Sequence, residues 1–436
     1  MEWYSILLII LGLILFLFIT GIPVAFAFLL LNIIGLYIWL GGEKSWHILV
    51  LSAFEVLTIY EMLAVLFFIL MGEVLYHSGV VREVFELVDV FFGGVRGRLS
   101  YITVVVSVIM AAISGSILGV GAAMGATLGP EMREKGYHES LYIGPIVGGA
   151  CLAQLIPPSA MTVLLATLAR LPVGKMLMAG IGPGLLLAAM YMIYIFIRVS
   201  RNPDLAPLYT VRHISTSAKI ASVMRMVPIG ILFFLVVGTM ILGIATPTEA
   251  SGLGALGAFV VPSFYRRLNW RNVNKAVLAS GELIGMIFLI CMGSKCFSQL
   301  LAATGAADGM LAAVLGANLP PWALIVIMQV IVLFMGMIMD NISIMMITLP
   351  IFMPVLAVIG FNPVLFGILF LLNIGVALLS PPFGLLIFVM KGVSPSEISI
   401  GTIYRISFPW ALMMLGAMGL VAAIPEIALW LPKILH

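Results

Sequence analysis

Short polar or proline-containing interruptions break four of the long apolar stretches in this sequence. They are Ser114-Gly115-Ser116, Gln154 with Pro157-Pro158-Ser159, Asp340-Asn341 with Ser343, and Asn373 and Gly375 with Ser380-Pro381-Pro382. Consecutive prolines end a helix, because they lack amide donors and clash with the preceding turn. The freed carbonyls and the serine and asparagine oxygens form a hard-oxygen cage that suits an alkali cation, and sodium is the preferred ion. Half-helix N-termini at the same breaks would attract an anionic substrate.

A single motif of this kind has another plausible origin. A Pro-Pro pair alone is equally consistent with a helix kink, and Ser-Gly-Ser with a close-packing face for a neighbouring helix. Four interruptions in two matched pairs favour a functional site, because repeats with interrupted helices commonly build a transporter site at the membrane midplane. Irregular backbone is tolerated at that depth only where it lines a cavity or faces protein.

Two charged residues stand inside strongly apolar runs. Asp340 lies within FMGMIMDNISIMM, where a carboxylate is costly and is by default a candidate for function, completing a cation site or pairing with a base. Lys295 lies within ICMGSKCFSQL, where contact with a substrate carboxylate is as plausible as a salt bridge or snorkelling to the interface. Structural roles are favoured for five glutamates that lie nearer the expected helix ends: Glu55, Glu61, Glu73, Glu249 and Glu282.

The elements that must position these residues are membrane helices. Hydrophobic residues make up 63% of the 436 positions and charged residues only 9%, where a soluble domain carries roughly a quarter. The apolar runs approach the roughly 20 residues that a helix needs to cross a bilayer. The sequence therefore predicts an all-α polytopic protein of the lipid bilayer, with no nucleic-acid-binding patch.

Two further features fit that class. The apolar N-terminal stretch is expected to be a retained first helix rather than a signal peptide, because it lacks a basic start and a small-residue cleavage site. The three cysteines are expected to be small buried hydrophobes rather than disulfide partners or metal ligands. They are Cys151, Cys291 and Cys296.

The two halves of the chain repeat each other. The matches, in order along the chain, are Pro23 with Pro247, Met71-Gly72 with Met292-Gly293, Thr127-Leu128 with Thr348-Leu349, and Pro157 with Pro381. They keep a nearly constant spacing of about 220 positions, which chance rarely supplies.

The distribution of basic residues predicts how the halves are oriented, because Lys and Arg concentrate on cytoplasmic loops. Five of them join the halves: Arg198, Arg201, Arg212, Lys219 and Arg225. A second basic loop contains Arg266, Arg267, Arg271 and Lys275. Its counterpart in the first half, at 42–47, holds one Lys and one Glu. Paired loops therefore fall on opposite sides of the membrane, which predicts an inverted repeat with both termini outside.

Each half is expected to hold about five crossings and one re-entrant hairpin. In the first repeat (1–200) the expected elements are crossings at 4–20, 23–41 and 50–77, an amphipathic arm at 79–98, a hairpin at 100–132, an interrupted helix at 139–170 and a crossing at 177–198. A cytoplasmic linker at 201–225 leads to the second repeat (226–436). Its expected elements are crossings at 226–243, 247–263 and 277–303, a hairpin within 322–356, an interrupted helix within 363–390 and a crossing at 404–431.

Six sequence motifs together resemble one known family. They are GIPVAFAF near the start, SGS at 114–116, LIPPS at 155–159, GIATPTEA at 243–250, MDNISIMMITLPIFMP at 339–354 and NIGVALLSPPFG at 373–384. With these motifs the whole chain resembles the large membrane (M, DctM-like) subunit of tripartite ATP-independent periplasmic (TRAP) transporters, a branch of the ion transporter superfamily. The set is specific, although each motif alone is not.

The resemblance implies an elevator-type transporter. A transport domain holding the hairpins and broken helices (100–170 and 322–390) would slide against scaffold helices at 1–77 and 226–303. Two partners are implied: a small four-helix membrane subunit (Q), expected as a separate polypeptide, and a periplasmic substrate-binding protein (P) that delivers a small carboxylate. Sodium ions, with no organic cofactor, would drive uptake of this organic acid across a bacterial or archaeal inner membrane.

The same resemblance assigns site residues. One sodium site is implied at Ser114, Gly115, Ser116 and the break at Pro157, Pro158 and Ser159. The other is implied at Asp340, Ser343 and the break at 380–382, including Ser380 and Pro381, with Asn373 and Gly375 close by. The substrate is expected to contact Ser116, Gln154, Ser159, Lys295, Asn341 and Pro382; of these, Lys295 is not assigned by the resemblance but by its charge within an apolar run.

Three other functions compete with this one. A two-component sodium/anion symporter of the same superfamily would work without a binding protein. An intramembrane enzyme would need a catalytic set, but Asp340 has no matching aspartate, and no HExxH motif or Ser-Lys pair is evident. A channel should show rings of like residues rather than paired hairpins. A transporter and not an enzyme is therefore predicted.

Overall fold

The computed structural model describes residues 2–92, 95–207, 216–317, 319–337, 339–382 and 384–434. Those residues form helices and connecting turns, with no strand among them. The side chain of Ser114 in the first predicted sodium site, Arg212 in the linker and Phe383 in the motif at 373–384 lie outside the described part.

Helices α1 to α10 form the first half. In order they are Trp3–Ile19, Val24–Trp39, Trp46–Leu57, Met62–His77, Val80–Asp89, Arg98–Ser114, Ile117–Glu134, Ile143–Cys151, Ala160–Leu168 and Val173–Arg201. Helices α11 to α21 form the second half. In order they are Thr216–Phe233, Thr239–Ile241, Pro247–Phe264, Trp270–Ala303, Ala306–Gly316, Pro321–Gly336, Asn341–Ile359, Pro363–Leu378, Leu385–Val393, Ile400–Ala423 and Glu426–Ile434.

Several of the described helices are long and apolar enough to cross a bilayer. Five qualify alone: Val173–Arg201, Lys219–Ile241, Trp270–Ala303, Asn341–Ile359 and Ile400–Ala423. Helices α3 and α4 qualify together as a sixth span, and α1, α2, α6, α16 and α18 are apolar but shorter. The prediction of an all-α polytopic membrane protein is confirmed.

The predicted single crossing at 50–77 is bent in the structure. Helix α3 ends at Leu57 and α4 begins at Met62, at an angle of 59°. The hydroxyl of Thr58 donates to the carbonyls of Phe54 and Glu55, both at 3.0 Å. A threonine that bonds back to the preceding turn satisfies the carbonyls of a helix end and favours a bend. Hydropathy alone does not reveal this break.

The predicted last crossing at 404–431 is also two helices. Helix α20 ends at Ala423 and α21 begins at Glu426. Pro425 lies between them, and proline has no amide donor and disfavours a helical conformation in the residue before it. Ile424 accordingly adopts φ −126° and ψ 78°. Helix α21 instead packs against α10.

The helices pack in two groups that meet along one boundary. The first group, called the scaffold group, contains α2, α3, α4, α13 and α14. The second, called the site group, contains α6 to α10 and α16 to α20, so it holds all four predicted interruptions. Contacts of α4 with α6 and α9, and of α14 with α17, join the groups.

Candidate functional site

The first hairpin turns at Gly115 and Ser116. Helix α6 ends at Ser114, and Gly115 adopts the left-handed conformation with φ +60°, which glycine alone adopts readily. The Ser116 hydroxyl oxygen accepts a hydrogen bond from the Gly119 amide at 3.2 Å and so caps α7. A serine cap satisfies one of the free amides at a helix start.

The first interrupted helix breaks directly beside this hairpin. Helix α8 gives way to a 3-10 turn, Leu152–Gln154, and α9 begins after Ser159, whose hydroxyl oxygen accepts from the Thr162 amide at 3.3 Å. The Pro157–Pro158 peptide bond is cis. A Cβ atom on Gly115 would lie 3.1 Å from the Pro158 carbonyl oxygen. The structure therefore brings together the two segments assigned to the first sodium site.

The second hairpin turns at Asp340. Its carboxylate caps α17 by accepting hydrogen bonds from the amides of Ile342 at 3.0 Å and Ser343 at 3.2 Å. The Ser343 hydroxyl donates to the other carboxylate oxygen. Asp340 and Ser343 thus adjoin as predicted, and an anionic oxygen pair is held at the start of a half-helix.

The second interrupted helix breaks between α18 and α19. The Ser380 hydroxyl donates to the Val376 carbonyl at 2.8 Å, and the Pro381–Pro382 peptide bond is cis. The Tyr404 hydroxyl donates to the Pro382 carbonyl at 2.9 Å and so ties this break to α20. Phe383 lies outside the described residues.

Buried amide side chains lie where the two interrupted helices cross. The side-chain amide of Asn373 donates to the main-chain carbonyl oxygen of Gln329 at 2.5 Å and to the side-chain oxygen of Gln329 at 2.8 Å. A Cβ atom on Gly375 would overlap the side-chain amide of Gln154, so these residues from opposite halves are in direct contact. Both polar atoms of the Gln154 side chain, and Oδ1 of Asn373, are buried without a hydrogen-bond partner among the described residues.

Unpartnered buried oxygens of this kind suit a cation. Buried polar groups almost always have a partner, and each exception calls for one such as an ion or a water molecule. Gln154, a predicted substrate residue, contacts Gly375, a predicted ion residue, whereas Asn373 faces Gln329 of α16. The unpartnered atoms at these two positions are two oxygens, Oε1 of Gln154 and Oδ1 of Asn373, which are hard ligands of the kind that suit sodium, and the amide nitrogen of Gln154, which is a hydrogen-bond donor.

The two hairpin tips face one central cavity of about 700 Å³. Gly115 and Ser116 line it from the first tip, and Asp340 and Asn341 from the second. The opposite wall consists of side chains from α2, α4 and α14 of the scaffold group, and these are apolar except for Glu73. Asn341 is 8% exposed, and its side chain makes no hydrogen bond within the described part of the chain. An amide that is buried, unpartnered and cavity-lining is available to a ligand.

Sequence reasoning missed one residue of this cavity. Glu73 of α4 lines the central cavity from the scaffold side and approaches His77, with Oε2 3.4 Å from Nε2. It was assigned a structural role because it stands near the expected end of a crossing. The available signal was a lone carboxylate within the apolar run of α4, MLAVLFFILMGEVLYH.

Lys295 lies away from the central cavity. Its Nζ atom pairs with Oε2 of Glu55 at 2.8 Å, which corresponds to the salt bridge considered as one alternative. Both residues line another cavity of about 930 Å³, called the outer cavity, together with Arg170 and part of α17. Lys295 is therefore separate from Ser116 and Asn341, the two predicted substrate residues that line the central cavity. Gln154, Ser159 and Pro382 are not part of the lining of either cavity.

The interpretation of Gln154 predicts an unusual response to substitution. Replacing Gln154 by leucine should leave the Tm in sodium-free buffer unchanged or slightly raised, because removing unpaired buried polar atoms costs little, within about 1 kcal/mol. The rise in Tm that sodium produces in the unsubstituted protein should be absent in Gln154→Leu, because this variant lacks the side-chain oxygen. Thermal unfolding of the purified protein in sodium chloride and in choline chloride measures both quantities.

A matched variant controls for the change from glutamine to leucine. Gln299 of α14 accepts a hydrogen bond from Ser52 at 2.8 Å, away from the breaks. Gln299→Leu should keep the sodium-induced rise in Tm. If sodium raises the Tm of Gln154→Leu as much as the Tm of the unsubstituted protein, the ion binds elsewhere.

The fold is similar to that of a solved membrane transporter. The structure of the YdaH transporter from Alcanivorax borkumensis matches with a TM-score of 0.61 and 16% sequence identity, over 90% of each chain. At this identity the likeness concerns the fold alone. The class defined by the helices and the interruptions is therefore a polytopic helical protein with a transporter fold.

Sequence comparisons identify the family. The family model of the DctM component of tripartite ATP-independent periplasmic transporters matches residues 11–427. The chain is 31% identical to the C4-dicarboxylate TRAP transporter large permease protein DctM of Pseudomonas aeruginosa, over 92% of each chain. It is 30% identical to the protein of the same name from Rhodobacter capsulatus, over 98% of this chain and 99% of that one. The chain belongs to the DctM family of TRAP transporter large permease subunits.

This result confirms the family resemblance. The relatives are named as permeases, in agreement with the prediction of a transporter and not of an intramembrane enzyme. The chain is therefore a multi-pass membrane protein of a TRAP transporter.

Proposed function

We propose that this permease subunit couples the inward movement of sodium ions to the uptake of an organic acid. The observation that carries the proposal is the meeting of both hairpin tips, with Ser116 and Asp340, at one central cavity. The start of α7, whose neutral cap Ser116 lines the central cavity, supplies partial positive charge for a carboxylate. The Asp340 carboxylate and the oxygens around the breaks supply ligands for sodium.

The boundary between the two helix groups supports an elevator mechanism. The outer cavity lies on this boundary, between α3 and α14 of the scaffold group and the α9–α10 turn and α17 of the site group. A cavity of about 750 Å³ lies on the same boundary between α4 and α7, and His77 and Arg82 line it. Space on both sides of the contact would let the site group slide past the scaffold group and open to each side in turn.

Two partners complete the proposed system. A small membrane subunit would extend the scaffold group, and a periplasmic binding protein would deliver the substrate, as the tripartite description of the family suggests. The inner membrane is then the proposed location. Two relatives are named for C4-dicarboxylates, so these acids are the first substrates to test.

Uptake into proteoliposomes tests the proposal. The chain is reconstituted with its small partner subunit and supplied with the binding protein and labelled organic acids, with and without an inward sodium gradient. Uptake that requires both sodium and the binding protein is the expected result. Sodium-driven uptake without the binding protein would favour the two-component symporter, and uptake indifferent to sodium would exclude ion coupling.

A further inference from the structure

The outer cavity adjoins the central cavity along shared helices. Helices α9, α14 and α17 each line both cavities, in consecutive parts of their length. On α14, Ile290 lines the central cavity and Lys295 the outer one, little more than one helical turn apart. The outer cavity also includes the turn that leads into α10, from Arg170 to Pro172. Because the other end of α10 leads into the basic linker, this cavity faces the side predicted to be outside.

The outer cavity contains cations, unlike the described lining of the central cavity. Lys295 and Arg170 line it, together with the carboxylates of Glu55 and Glu61. No lysine, arginine or histidine lines the central cavity among the described residues. A carboxylate moving toward the central cavity along α9 and α14 would therefore meet its positive partners in the outer cavity.

Arg170 has the geometry of a group available to a ligand. It stands in the turn between α9 and α10 with a left-handed backbone, φ +55°, which is uncommon for a residue other than glycine. Its side chain forms no hydrogen bond or ion pair with any described residue. This backbone closes the end of α9, where the Arg170 amide donates to the Thr167 carbonyl at 3.2 Å and the Leu171 amide donates to the Ala166 carbonyl at 2.7 Å. The availability of Arg170 to a ligand therefore rests on its unpaired side chain. The planar guanidinium matches the two oxygens of a carboxylate.

We propose that the outer cavity is an entry site for the carboxylate group of the transported acid, held by Arg170 and Lys295. This inference rests on the proposed function, since it assumes an organic acid as the substrate. Lys295 belongs to the scaffold group and Arg170 to the site group, so the carboxylate would bridge the boundary between them. The sequence-based expectation that Lys295 contacts substrate then applies at this earlier position.

Glu55 determines how tightly such a site binds. In the structure Glu55 pairs with Lys295, so an arriving substrate carboxylate must replace the Glu55 carboxylate at Lys295. Exchange of this kind makes binding weak. A site on a transport route must bind strongly enough for entry and weakly enough for release. Glu55 is thus a partner of Lys295 that the substrate carboxylate can replace, and not a permanent structural partner.

Charge-removal variants in the reconstituted complex test this assignment. Arg170→Gln and Lys295→Gln should each lower kcat/KM for the substrate-loaded binding protein by roughly threefold to tenfold. This range lies between the small loss expected on removing an exposed charge and the larger loss expected on removing a buried one. Glu55→Gln should not lower it, because Lys295 remains charged and becomes free. The affinity of the binding protein for the complex, measured by surface plasmon resonance in nanodiscs, should stay constant in every variant.

A nearby lysine provides the matched control. Lys175 lies in the first turn of α10 on the same outer side, is exposed and does not line the outer cavity. Lys175→Gln should leave kcat/KM unchanged. The assignment is overturned by equal losses in Lys295→Gln and Glu55→Gln, which indicate a structural ion pair. The assignment is also overturned if Lys175→Gln lowers kcat/KM to the same extent, or if the affinity of the binding protein for the complex falls in the charge-removal variants. Sodium-independent uptake by the unsubstituted protein would instead exclude the proposed function itself.

Discussion

Replacing Asp340 by asparagine is expected to raise the sodium concentration for half-maximal uptake by roughly 10- to 100-fold, since interactions with a charged group contribute about 1.5–3 kcal/mol. The physical reason is the loss of the anion while the helix cap is kept. Asparagine caps a helix about as well as aspartate, so the amides of Ile342 and Ser343 keep an acceptor. Initial uptake rates over a sodium series measure the effect.

The alanine variant at the same position separates charge from capping. Asp340→Ala removes both, so it should lose sodium-driven uptake and also about 0.5–2 kcal/mol of stability. The asparagine variant should keep a Tm near that of the unsubstituted protein. Unchanged sodium dependence in Asp340→Asn would assign this carboxylate to helix capping alone.

Replacing Gly115 by alanine is expected to lower the rate of uptake by roughly 10- to 100-fold. The left-handed backbone at φ +60° costs a residue with a Cβ atom about 1–2 kcal/mol. The new Cβ would also lie 3.1 Å from the Pro158 carbonyl oxygen and 3.2 Å from the Ala160 amide nitrogen. These are backbone atoms of the first break, so relief requires the hairpin and the break to separate. The separation needed is a few tenths of an ångström, and a displacement near 1 Å at a positioned site costs about 100-fold in rate.

A second glycine of the same hairpin controls for the added methyl group. Gly129 lies in α7, and a Cβ atom there would meet no atom within 4 Å. Gly129→Ala should keep full uptake, because the added methyl group meets no other part of the fold. No gain in stability is expected, since a Cβ atom before Pro130 disfavours the helical conformation. Equal uptake by Gly115→Ala and Gly129→Ala would show that close contact at the first tip is not required.

The sequence alone determined the class of the molecule and the position of its interruptions. An apolar composition leaves membrane helices as the elements, because each backbone polar group must find a partner within the bilayer. Proline pairs and Ser-Gly-Ser end helices through local geometry, so their effect can be read residue by residue. The Ser116, Ser159 and Asp340 caps lie at helix starts for the same local reason.

Only the tertiary structure decided which residues share a cavity. Hydropathy does not give the rotation of one helix against another, so Glu73 of α4 could not be assigned to the central cavity, nor Lys295 of α14 to the outer one. The contact between Gln154 and Gly375 joins residues from opposite halves, and it depends on the packing of α18 near the first break. Bends at Thr58 and Pro425 likewise redirect helices that appear continuous in hydropathy. Local sequence thus specifies where helices end, while the packing of helix faces determines which of those ends meet.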